Sequence, residues 1–172
     1  MNYDPKQRYH FTNKNKWIFS DVFGSVNISQ NMKPFGLWYG FGLEWIDWVI
    51  REEPCWMSYY PYSYTLHLND ERIFKIGTSE EEIEDLYETL KEEDWCPIPR
   101  FDWDKLKKEY SGIEFFPYHK KGWLLDNCDI KRAMLYSFVC SLDVASGCIW
   151  DSRAILDVDG PFEVKLENFP QS

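Results

Sequence analysis

The segment 33–48 constrains this chain most, because it sets Phe35, Trp38, Tyr39, Phe41 and Trp45 among the glycines 36, 40 and 42 and then passes into an amphipathic pattern. Glycine admits close backbone approach, and large rings supply flat stacking faces. The pattern predicts a short apolar strand over 35–39, a break at Gly40 and Gly42, and a helix opening near Leu43. Trp38 and Tyr39 then stand at a strand end, where ligand pockets often form. They form either the wall of a pocket for a flat ligand or ordinary core beside turn glycines.

The chain is 172 residues long, which is enough for one well-buried domain, expected over 1–172, and short for two. Its rings make up 19% of the residues, so a bulky core is available. Lys and Arg number 19 against 29 Asp and Glu, a net charge of −10 that repels phosphate backbones and disfavours broad nucleic-acid binding. Much of that excess sits in 79–94. The five cysteines form no CxxC pair, the start carries no apolar signal segment, and no apolar run approaches the ~20 residues that cross a bilayer. A cytoplasmic setting without membrane association is expected, and three scattered histidines give no metal-ligand spacing.

Tyr9-His10-Phe11-Thr12 reads as a first strand ending in the turn 13–16. The runs 17–19 and 22–23 suggest a short helix or apolar link, and 26–28 a brief strand. Apolar positions 45, 46, 48, 49 and 50 share a helical face over 44–53, and Pro54 stops it. An aromatic loop over 55–61 precedes the alternating strand 64–68, a turn at Asn69-Asp70 and a returning strand or strand end over 72–77. Thr78 or Ser79 caps an acidic helix that ends by 94. Residues 96–100 form an extended breaker, 102–109 a short helix and 112–116 a strand ended by Pro117. The run 131–138 fits a strand or a half-buried helix, 142–144 and 147–150 read as strand pieces, and 161–167 alternates like an edge strand. Without a regular βαβ rhythm, the class is α+β with mainly antiparallel strands.

Read in order, Tyr9-His10-Phe11-Thr12, Gly36-Leu37-Trp38-Tyr39-Gly40 and Ser146-Gly147-Cys148-Ile149-Trp150-Asp151-Ser152-Arg153-Ala154-Ile155 resemble the three motif strands of the His-Tyr branch of the ADP-ribosyltransferase fold. Those strands tend to read Y-H-x-T, G-L-Y-F-S and E-Y-V-V-F-N-P-x-x-I. Between them, 64–68 with 72–76 resembles the middle strand and its partner, and Tyr110-Ser111-Gly112-Ile113-Glu114 resembles the Y-D-G-I segment. The resemblance implies an ADP-ribosyltransferase-like fold of mainly antiparallel split β-sheets with flanking helices, and NAD as the substrate. It further implies transfer of ADP-ribose to an intracellular macromolecular or small acceptor. Small members of the class often act as toxins or in conflict between mobile elements and hosts.

In that reading His10 bonds the nicotinamide-side ribose, Thr12 helps fix the adjoining loop, and Tyr39 or Trp38 stacks on the nicotinamide. Trp45 and Ser146 complete the NAD-binding set. Ser146 stands where the family carries a catalytic glutamate, so the acid falls to Asp143, Asp151 or Glu114. The residues also carry plainer readings: His10 as a strand-end hydrogen-bonding group, Asp143 and Asp151 as turn or cap residues, His67 on an outward strand face, His119 in a loop beside Lys120 and Lys121, and the cysteines as small core residues. The alternative function is an acidic interaction protein, an immunity or inhibitor module whose 80–94 surface neutralises a basic partner.

Overall fold

A computed structural model describes residues 4–17, 33–91, 100–119 and 129–165. The expectations for 18–28, 92–99, 120–121 and the end of the last strand beyond 165 lie outside them, as does Cys128.

The chain is α+β, a mostly antiparallel seven-stranded sheet flanked by helices. Its strands are β1 (Arg8–Thr12), β2 (Leu37–Phe41), β3 (Tyr62–Leu68), β4 (Ile73–Ile76), β5 (Gly112–Phe115), β6 (Ser146–Ile149) and β7 (Ile155–Glu163). The helices are α1 (Glu44–Glu52), α2 (Glu80–Leu90), α3 (Trp103–Lys107) and α4 (Ile130–Leu142). Local chemistry accounts for most boundaries. Gly42 takes φ +52 between β2 and α1, a left-handed turn open to glycine at little cost. Ser79 and Glu82 close a capping box at the start of α2, and Asp129 caps α4 by accepting from the Arg132 N–H at 2.8 Å.

The sheet order is β4-β5-β6-β2-β1-β3-β7. Residues 72–77, expected as a returning strand or a strand end, do form a strand but not one that returns along β3: β4 lies at the opposite edge and pairs in parallel with β5. Five strand spacings separate β3 from β4, ~24 Å in a flat sheet, whereas the five residues from Leu68 to Ile73 reach at most ~18 Å. The sheet must therefore curl until its two ends approach. The concave face holds Leu37, Tyr39, Phe41, Leu66, Leu68, Ile73 and Ile149 in one buried cluster. The convex face packs in two parts. Ile113, Phe115 and Cys148 lie under α2, α3 and α4, while Tyr9 and Phe11 lie against Ile46 of α1.

Three further expectations change. Gly40 is a strand residue and not a break, because β2 begins two residues later than expected. Residues 142–144 are not a strand: Leu142 ends α4, and Asp143 takes φ 66, ψ −46. The last strand starts at Ile155, six residues early, and tolerates Pro161 because β7 is an edge.

Candidate functional site

The functional geometry begins where the ladder between β1 and β2 fails. These strands share only the pairs Arg8↔Phe41 and Tyr9↔Gly40, whereas β1 stays paired to β3 through Thr12↔Tyr62 and β2 to β6 through Leu37↔Ile149. Beyond Tyr9 and Gly40 the sheet is split. The His10 imidazole closes the gap, its Nδ1 lying 2.8 Å from the Trp38 carbonyl oxygen. A carbonyl only accepts, so Nδ1 carries the proton and Nε2 is an acceptor. Burial lowers the pKa of His10, opposed by the bond to the Trp38 carbonyl, so the ring is neutral at pH 7.

On the convex side of the split, between α1 and the C-terminal end of α4, lies a cavity of about 330 Å³. Trp38, Trp45 and Tyr60 supply its rings, and Trp45 is held by stacking on Phe11 (centroids 5.5 Å apart) and by an edge contact with Tyr60 at 4.6 Å. Its polar groups are His10, Lys33, Asp143 and Ser146. The Lys33 ammonium lies 5.5 Å from the centre of the Trp38 ring and donates to the Ser141 carbonyl. Burial lowers its pKa, and the charge of Asp143 acts in the opposite sense. Ser146 is 5% exposed, and its hydroxyl has no hydrogen-bond partner among the described residues.

Asp143 sits in a strained turn. With φ 66 and ψ −46, and with the Val144 N–H donating to the Leu142 carbonyl at 2.8 Å, it centres a γ-turn of the rare hand. Non-glycine residues held so cost ~1–3 kcal/mol and cluster at functional sites. The turn joins α4 to β6 and brings this carboxyl-bearing residue to the cavity three positions before Ser146.

The structure brings His10, Trp38, Trp45, Asp143 and Ser146 to one cavity. Tyr39 contributes to the cavity wall, but its ring is turned to the concave face. There its phenol donates to Glu114 Oε1 at 2.8 Å, and the side chain is 3% exposed. Burial, then the Glu114 carboxylate, pushes its pKa well up, so it remains a donor. Trp38 is the ring of this pair presented to the cavity, because neighbours in a strand face opposite ways. Glu114 is likewise committed to Tyr39 and Arg8 and lies away from the cavity. Asp151 stands beyond the far end of β6, accepting from Arg153 N–H at 2.9 Å and paired with its guanidinium, so it acts as a cap. Thr12 lines a separate hollow and accepts from the Lys14 N–H at 3.2 Å.

The sequence reading missed Lys33 and Tyr60. A lone cation opening an aromatic run was the available signal for the first, and nothing local marked the second. Cys148 is a buried thiol whose pKa burial pushes up, which makes it core and not a nucleophile. No protein-family model, curated protein or solved structure matches the chain. Among the described residues, no helix is long and apolar enough to cross a membrane.

Proposed function

We propose that this chain is an ADP-ribosyltransferase-like protein that takes the nicotinamide-ribosyl half of NAD into the cavity at the split and transfers ADP-ribose to an acceptor. The observation that supports this reading is the adjacency of β6, β2 and β1, the strands that carry the three resembling segments, with His10, Trp38 and Ser146 on one cavity wall. The donor set suits such a ligand. Trp38 offers a flat face to the pyridine ring, His10 Nε2 accepts from a ribose hydroxyl, and Lys33 meets a phosphate. In the reaction the C1′–N bond breaks with its electron pair returning to the ring nitrogen, and C1′ bonds to the acceptor. Asp143, rather than a residue at 146, then faces the developing positive charge and takes the acceptor's proton.

The test is NAD binding by thermal shift and calorimetry, with released nicotinamide read by mass spectrometry. Wild type is expected to be stabilised, and Trp38→Ala and His10→Ala to lose that stabilisation, while Glu81→Lys/Glu84→Lys on α2 keeps it. No shift at millimolar NAD overturns the proposal. The interaction-module reading is less well supported, because three of the six acids of α2 are already engaged. Glu80 pairs with Arg132, Glu88 with Lys91 and Lys131, and Glu82 closes the capping box.

A further inference from the structure

The concave side of the split opens into a second cavity of about 330 Å³, divided from the first by His10 and Trp38, which line both. Its wall joins Thr12, Lys14, Lys16 and Trp17 at the end of β1, Phe35 at the approach to β2, and Tyr64 of β3. Phe35, which lines the hollow, is 42% exposed. The other rings are fixed in place: Trp17 meets Tyr64 edge-on at 5.2 Å and His10 at 5.9 Å, and the Tyr64 hydroxyl donates to the Lys14 carbonyl at 3.2 Å. In this acidic chain Lys75, Lys91, Lys107, Lys131 and Lys165 each lie against a carboxylate. The Lys14 and Lys16 ammonium groups, like those of Lys6 and Lys108, have no such partner among the described residues, and it is Lys14 and Lys16 that border the hollow.

We propose that the second cavity binds a mononucleotide, one aromatic base on a ribose phosphate, as a ligand separate from the occupant of the first. The base lies on Phe35 and Trp17, and the phosphate between Lys14 and Lys16. A volume at the lower end of small-molecule pockets, ~300–1,000 Å³, suits one base with its ribose phosphate and no longer chain. The −10 field of the chain opposes a polymer of phosphates. The proposal does not rest on the NAD reading.

Calorimetric titration of the full chain with AMP tests it, at low and raised NaCl and with or without NAD. One saturable site is expected, weakened by salt, about tenfold weaker in Lys14→Glu/Lys16→Glu, and unchanged in Lys33→Met of the first cavity. Melting temperatures verify folding, and Lys14→Gln/Lys16→Gln gives a milder second variant expected to weaken binding in the same direction. Absence of AMP binding overturns the proposal, as does binding indifferent to both double variants. If NAD excludes AMP and is itself weakened by the lysine changes, the hollow receives the dinucleotide's own ADP end, and a separate ligand is refuted. Failure of NAD to bind leaves the AMP arm to be read alone.

Discussion

Arg8→Met tests the polar network on the concave face. Arg8 of β1 donates through Nε to Glu114 Oε1 of β5, the acceptor that also takes the Tyr39 hydroxyl of β2 at 2.8 Å, and its outer nitrogen lies 2.6 Å from Asp70. The Arg8 side chain is 16% exposed and that of Glu114 4%, so methionine leaves a carboxylate buried without its counter-charge. Breaking such a pair costs ~3–5 kcal/mol, and the residual exposure of Arg8 puts this case near ~3. At ~2–4 °C per kcal/mol for a chain of this size, melting is expected to fall by about 10 °C. Adding Glu114→Gln removes the stranded charge while keeping an acceptor for Tyr39, so the double variant should regain ~2 kcal/mol of that loss. Urea unfolding followed by tryptophan fluorescence, with an unchanged slope, measures both. A cost for Arg8→Met under ~1 kcal/mol, or no recovery in the double variant, refutes the network as an interdependent unit.

Three further outcomes are expected. Because burial lowers the pKa of His10 below its usual 6.5, the unfolded chain takes up the proton first, and stability falls as pH drops from 6.5 through the lowered value; the melting temperature should fall less between pH 7.5 and 5 in His10→Gln than in wild type. Asp143→Gly relieves a positive φ and is expected to leave stability unchanged or raise it by up to ~1 kcal/mol; under the proposed NAD reading it abolishes nicotinamide release, and retained release removes Asp143 as the acid. Gly147→Ala drives a methyl into the Tyr39 ring and is expected to cost ~1–3 kcal/mol in urea unfolding.

Elements whose ends carry their own chemistry were legible in the chain. The Ser79–Glu82 box, the stop at Pro54 and the alternation of Tyr64, Leu66 and Leu68 each encode a local structure that tertiary context left in place. The helical spacing of Leu135, Phe138, Val139 and Leu142, at i, i+3, i+4 and i+7, was also present and carries α4 as far as Leu142, the first of the residues read as a strand piece. The destination of β4 was not legible. A four-residue link suits a hairpin as well as a curled sheet, and only the fit of Ile73 into the cluster of Tyr39 and Ile149 decides between them. The site was half legible: residue types and order pointed to β1, β2 and β6, but alternation tells only that Trp38 and Tyr39 face opposite ways, not which faces the cavity.

That alternation also couples the two faces. Tyr39 is fixed on the concave side by its bond to Glu114 and by the missing side chain at Gly147, over which its ring lies. Fixing the roll of β2 there fixes Trp38 on the convex side, where the paired ladder to β1 has already ended and could not hold it. The carbonyl of Trp38 is in turn the acceptor that orients His10. A perturbation of Glu114 therefore reaches both groups of the candidate site through one strand, without touching the cavity. Glu114→Gln, which keeps the acceptor, should leave the environment of Trp38 unchanged, whereas Glu114→Ala, which frees Tyr39, should loosen ligand binding in the cavity beyond what its loss of global stability explains.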